Sequence, residues 1–222
     1  MVSAGEDVIL YADTSRQREL RRFHFLRQQK EKSEGQYNYS LADFIAPLES
    51  GLTDWIGMFA VTSGHGLSSA LQRFYADLDD YSAILLEALA DRLAEAYAEA
   101  LHREVRKVWG YGRDENLTPQ DLIREKYRGI RPAPGYPACP DHSEKLEMFE
   151  LLGVEKNAGI CLTENFAMIP GSSVCGFYFA HPAARYFPVG KLNKDQVADY
   201  ASRRGISLEQ AEQWLAASLN YS

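Results

Sequence analysis

Gly159 to Val189 reads GICLTENFAMIPGSSVCGFYFAHPAARYFPV, three apolar or aromatic runs parted by Pro170-Gly171 and His181-Pro182. Runs of this length bounded by turn formers predict strands at 159–163, 173–180 and 185–189, joined as an antiparallel meander. Helical signals flank them. Downstream, Lys194 to Arg203 and Ser207 to Leu215 read as two helices hinged at Gly205, with Ser207 and Gln210 spaced as a capping box. Upstream, Ser143 is expected to cap a helix ending at Gly153, and Thr118 to cap one that opens with Pro119 and runs to Tyr127. The longest pattern starts at Ser68 or Asp77 and ends at Val108, with Leu78, Tyr81, Ile84, Leu85, Leu89, Tyr97 and Leu101 recurring at helical spacing. Trp55 to Val61 and Asp7 to Tyr11 read as strands, and Tyr37 to Pro47 as extended chain. Thr14 or Ser15 is expected to cap a charged helix reaching about Lys32. The fold class that follows is α+β, an antiparallel sheet with flanking helices.

At 222 residues and 45% hydrophobic content, the chain can bury one good core, so a single domain spanning 1–222 is expected. The formal charge of −7 argues against nonspecific binding to nucleic acid or to an anionic membrane surface. No apolar run approaches the roughly 18 residues that a membrane-spanning helix needs. Three cysteines, Cys139, Cys161 and Cys175, and no charged-then-apolar leader at Met1 favour a reduced cytoplasmic setting.

Chemistry concentrates in RGIRPAPGYPACPDH, residues 128–142. Pro132, Pro134, Pro137 and Pro140 each fix φ near −65° and lack an N–H, so the backbone is stiff while its carbonyls still need donors. Gly135 permits positive φ or close backbone approach at the centre. Arg131 offers a bidentate anion clamp and Tyr136 an aromatic slab. Cys139 and His142 have the spacing of half a zinc site, but the other half is absent, so a capping role for Asp141 and His142 is expected and no metal. Glu87, Asp91, Glu95 and Glu99 step by four along the long helix. Read plainly they form a solvated face, and read more sharply one or two of them face a cationic ligand. Gly171 to Gly176 lacks the second glycine of a nucleophile elbow, and Gly110-Tyr111-Gly112 lacks the context of a dinucleotide site. Nothing points to an acid–base catalyst.

The loop RPAPGYPACPDH, the stretch ELLGVEKNAGICLTENFAMIPGSSVCGFYFAHPAARYF and the segment DQVADYASRRGIS together resemble the activation domain of cobalamin-dependent methionine synthase. LRQQKEK, SLADFIAP, DWIGMFAVT and LADRLAEAYAE extend the likeness from Asp7 to Tyr221. The resemblance implies a C-shaped α+β domain that binds S-adenosylmethionine, with the family signature Arg-x-x-x-Gly-Tyr standing as Arg131, Gly135 and Tyr136. It further implies that Arg131 holds the ligand carboxylate, that the backbone at Tyr136 and Ala138 takes the adenine side, and that Tyr186 and Glu95 make further contacts. In that family the domain sits over cobalamin carried by a partner domain or subunit. A flavodoxin-like reductase supplies one electron to inactive cob(II)alamin, the sulfonium donates a methyl group, and methylcobalamin is restored for methionine biosynthesis. The resemblance also implies that the family domain begins upstream of Met1, and that this chain is truncated there and lacks an acid that contacts the ligand amine. The alternative expectation is therefore a docking or capping module for a cobalamin domain without ligand binding of its own.

Overall fold

Alternation, not helical period, governs the start of the chain in the computed structural model, which describes residues 1–221. Strands β1 (Val2–Ala4), β2 (Asp7–Tyr11) and β3 (Glu19–His24) form an antiparallel sheet in that order. Val8 stands opposite Phe23 and Asp7 opposite His24. The helix expected to run to Lys32 is not formed. Phe23 and Phe25 point to the core at 0% and 1% exposure, while Arg22 on the other face pairs with Asp7. Arg22 and His24 thus take the outer face of a strand, opposite Phe23. Between Tyr37 and Pro47 the chain is not simply extended, because Leu41–Phe44 makes a 3-10 turn capped by Ser40 in a capping box with Asp43.

Strand β4 (Gly57–Thr62) follows, then α1 (Leu67–Ala76) and α2 (Asp80–Val108). Of the two starts the pattern allows, Asp77 falls within three residues of α2, whereas a helix unbroken from Ser68 is not formed, because Leu78 takes φ of 54° and Asp79 caps α2 by accepting from the Ser82 N–H. Helix α3 (Pro119–Ile123) has the expected Thr118 cap but stops short of Tyr127. Asp141, rather than Ser143, caps the 3-10 turn His142–Glu144 that leads into α4 (Lys145–Leu152) and α5 (Val154–Ala158).

The expected meander is rearranged. Strand β5 (Cys161–Leu162) pairs with β6 (Met168–Ile169) as a short hairpin, β7 (Ser173–Tyr178) pairs with β4 instead, and 185–189 forms no strand. Helices α6 (Lys194–Arg204) and α7 (Leu208–Trp214) lie almost where expected, with Gly205 in the left-handed region and Ser207 capping through the Gln210 N–H. Small antiparallel sheets with helices make the class α+β.

Contacts divide the chain into two compact units, Met1–Gly57 with Arg128–Glu147 and Phe177–Ser222, and Met58–Tyr127 with Met148–Gly176. The first has an aromatic core. Phe23, Phe25, Phe177 and Phe179 meet edge to face with centroids 4.8–6.2 Å apart, an arrangement favoured by their ring quadrupoles. The second unit buries Ala83, Ala90, Ala94 and Ala98 of α2, together with Met148, Val154 and Ile160. No helix among the described residues is long and apolar enough to cross a membrane.

Candidate functional site

The proline-rich loop belongs to the first unit, and its stiffness has identifiable sources. Ile130 and Phe179 exchange backbone hydrogen bonds at 3.0 Å, Phe177 donates to the Pro132 carbonyl at 2.9 Å, and Val189 donates to the Pro137 carbonyl at 2.8 Å. Within the loop, Gly135 N–H reaches the Cys139 carbonyl at 2.7 Å and Cys139 N–H the Tyr136 carbonyl at 2.9 Å. Two of the proline carbonyls are therefore satisfied by the chain itself. Those of Pro134, Gly135 and Ala138 accept no hydrogen bond from within the described residues, and Ala138 is only 5% exposed. These carbonyls are the acceptors that the loop's own hydrogen bonds leave over.

The 185–189 segment failed to make a strand because it serves the loop. Besides Val189, it supplies Tyr186, whose hydroxyl accepts the Arg131 N–H at 3.0 Å. That bond fixes the Tyr186 ring beside the start of the loop. Tyr136 is mostly exposed and Arg131 half-buried. Arg131, Gly135, Tyr136, Ala138 and Tyr186 are thus gathered in one unit. Glu95 lies in the second unit, exposed on α2. Of its acidic row, Asp91 accepts the Ser172 hydroxyl at 2.7 Å, and Arg103 pairs with Glu104 rather than Glu99.

Gly135 has φ of 94°, and a Cβ there would lie 2.1 Å from His142 Cε1. The imidazole is packed flat against the glycine, so the glycine is needed for space as well as for conformation. Lys145 donates to His142 Nδ1 at 2.9 Å, which requires a neutral ring. Partial desolvation and the Lys145 ammonium hold the His142 pKa below its ordinary value, with Asp141 opposing them. The half zinc site is thus a wedge beneath a turn. Cys139 is buried, and no cluster of three metal-ligating side chains occurs among the described residues.

Behind the wedge sits a network of buried charge. Tyr200 donates to Asp141 at 2.5 Å, Arg204 pairs with Glu144, and Glu144 also accepts the His24 N–H at 3.3 Å. Tyr200 and Glu144 are fully buried and Asp141 nearly so. Burial, reinforced by the two carboxylates, pushes the Tyr200 pKa well up, so the phenol remains a donor. Sequence reading missed this network. The spacing of Tyr200 and Arg204, one helical turn apart, was its only signal.

The family model described as the vitamin B12-dependent methionine synthase activation domain matches residues 1–205. The chain belongs to that family. A solved crystal structure described as the MetH reactivation domain bound to AdoHcy is similar throughout, with a TM-score of 0.96 and 54% identity over 100% of this chain and 68% of the other. At that identity the likeness extends beyond the fold. That neighbour is described as bound to AdoHcy, an S-adenosyl ligand.

Proposed function

We propose that this activation domain, taken as one functional unit over 1–222, binds S-adenosylmethionine on the 131–138 loop and supports reductive remethylation of cob(II)alamin on a cobalamin-carrying partner domain or subunit. The observation that carries this reading is the loop itself: Arg131, Gly135 and Tyr136 on a backbone held rigid by Phe177, Val189 and Tyr186, in a chain 54% identical to a neighbour bound to AdoHcy. The residues suit the ligand. A guanidinium complements the amino-acid carboxylate, exposed aromatic rings complement the adenine and the sulfonium, and the Pro134, Gly135 and Ala138 carbonyls take N–H donors.

When bound, the sulfonium supplies the methyl group and the partner's cobalt accepts it. That transfer moves no proton, so the chain contributes position rather than acid–base catalysis. Arg131 anchors one end of the ligand, the Tyr136 and Ala138 backbone the other, and the loop keeps the sulfur from drifting between them. The electron is assigned to a flavodoxin-like reductase in the cytoplasm, and turnover to the chain together with its cobalamin partner, as part of methionine synthase.

Titration calorimetry with S-adenosylmethionine tests the reading directly. Arg131→Ala is expected to weaken binding about ten- to a hundredfold, the worth of a charge-assisted pair. An unchanged constant would remove Arg131 from the site. No binding by the wild-type chain would leave it as a docking module alone.

A further inference from the structure

A polar cleft of about 290 Å³ in the first unit shares no lining residue with the Arg131 loop, and methyl transfer makes no use of it. Its walls are the chain around Glu6 and Arg27 and the face of α6 that carries Asp195, Gln196, Asp199 and Arg203. Both guanidiniums are already committed. Arg27 donates through Nε to Glu6 and through its terminal nitrogens to Asp43, while Arg203 donates to Asp199, Asp7 and the Phe25 carbonyl, so every nitrogen of each has a protein acceptor. Apart from the Gln29 amide, which serves either way, the polar atoms left over accept. Asp195 is exposed and has no ion-pair partner among the described residues, and Glu6 and Asp199 each engage one carboxylate oxygen and keep the other. Gln196 is only 8% exposed. Its Nε2 donates to the Arg27 carbonyl, which fixes the orientation of the amide, and its Oε1 is buried without a donor.

We infer that this cleft binds a guanidinium group. The leftover acceptors decide the charge of the ligand, and their spacing decides its shape. Asp195 and Asp199 stand one helical turn apart, roughly 6 Å between Cβ atoms, and Glu6 lines the same cleft from the turn between β1 and β2. No group of three acidic, histidine or cysteine side chains among the described residues is placed to share a metal ion, so a compact cation would serve one acceptor and leave the others. A guanidinium is planar and spreads its N–H donors outward in a fixed fork, which reaches separated acceptors at once. Gln196 Oε1 then gains the donor it lacks. The volume agrees with a small head group on a short stem, since drug-sized ligands occupy roughly 300–1,000 Å³. A free guanidine and an arginine side chain on another polypeptide carry the same chemistry, and the experiment separates them.

The test is an NMR titration of the isotope-labelled 222-residue chain with butylguanidine, with the capped peptide acetyl-Gly-Arg-Gly amide, and with butylamine as a compact cation on the same stem. The backbone amides of 195–199 and the Gln196 side-chain amide are expected to shift with either guanidine, at a dissociation constant of about 1 mM or below. Butylamine is expected to bind at least about fivefold more weakly, the worth of one hydrogen bond. Tighter binding of butylguanidine supports the site as one for a free guanidine, and tighter binding of the peptide supports it as one for a chain-borne arginine. Asp195→Asn should weaken either complex about two- to fivefold, and Gln196→Met about tenfold. Gln196→Met also forfeits the bond to the Arg27 carbonyl, so its fold is checked by circular dichroism, and the exposed Asp195→Asn decides alone if that variant unfolds. Three results would overturn the inference: no shift at 195–199, butylamine binding as tightly as butylguanidine, or folded variants that bind as the wild type does. None of them involves Arg131 or S-adenosylmethionine, so failure here leaves the proposed function standing.

Discussion

Gly135→Ala probes the loop most sharply. Two penalties act at this position and can be separated. The first is conformational: φ of 94° lies where residues with a Cβ are strained, at a cost of about 1–3 kcal/mol. The second is steric. The new methyl would sit 2.1 Å from His142 Cε1, so the ring must swing away and surrender the Lys145 hydrogen bond, worth about 0.5–1.5 kcal/mol. Together they predict a loss of about 1.5–4.5 kcal/mol in the first unit.

Urea unfolding followed by circular dichroism measures the loss, and a double-mutant cycle with His142→Ala divides it. In the His142→Ala background the steric part vanishes, so Gly135→Ala should then cost about 0.5–1.5 kcal/mol less than in the wild type. S-adenosylmethionine affinity should fall in the single variant and recover partly in the double. The reasoning is refuted if Gly135→Ala costs under about 0.5 kcal/mol, or if its cost is the same with and without His142.

Other substitutions test the surroundings. Arg204→Ala strips the cation from Glu144 and Asp141, both essentially buried, and should destabilise by about 3–5 kcal/mol in the same unfolding assay. For His142 the folded pKa is depressed, so the unfolded chain binds more protons below the ordinary value of 6.5. Its stabilising contribution is therefore complete above that pH and is lost as pH falls through the folded value. Unfolding midpoints compared from pH 7.5 to 5 should fall more steeply for the wild type than for His142→Asn, and parallel curves would contradict the assignment. Leu78→Gly relieves a left-handed backbone at an exposed position and should leave stability unchanged or raise it by up to about 1 kcal/mol; a clear loss of melting temperature would show that the α1–α2 break is held by the side chain.

Where sequence and structure agree, the agreement has a local cause. Thr118-Pro119, Ser207 and Gly205 mark helix ends because caps and left-handed glycines act within a few residues. The misreadings share a different cause. Glu19–His24 carries enough charge to imitate a solvated helix, and only the sheet partner β2 reveals that Phe23 and Phe25 alternate inward. Around Leu78 the sequence Asp77-Leu78-Asp79-Asp80 offers capping residues, which is why Asp77 stood as an alternative start, but which aspartate caps and that Leu78 turns left are set by the backbone. Ser173–Tyr178 was legible as a strand, yet its neighbour β4 lies more than a hundred residues upstream, a pairing no local pattern encodes. In the site, Arg131, Gly135 and Tyr136 stood out by type, whereas the bond from the Arg131 N–H to Tyr186 spans 55 residues. His142 looked like half a metal site because spacing records proximity in sequence and not what fills the space between.

The loop's rigidity bears on affinity through magnitude. Ordering eight backbone residues, 131 to 138, from a flexible state would cost about 1–2 kcal/mol each, roughly the whole free energy of a micromolar complex, about 8 kcal/mol. A loop that ordered only on contact would therefore bind its ligand feebly. Here the ordering is done in folding, by three prolines, the Phe177 and Val189 backbone bonds, and the His142 wedge braced by Lys145. The buried Arg204–Glu144–Tyr200–Asp141 network has the same consequence. Apolar residues in its place could match its stability, but none could accept the Ser143 N–H and the Tyr200 hydroxyl as Asp141 does and so fix where the loop ends. On the proposed function, binding energy is then left to align the sulfonium, the one geometric task that methyl transfer sets.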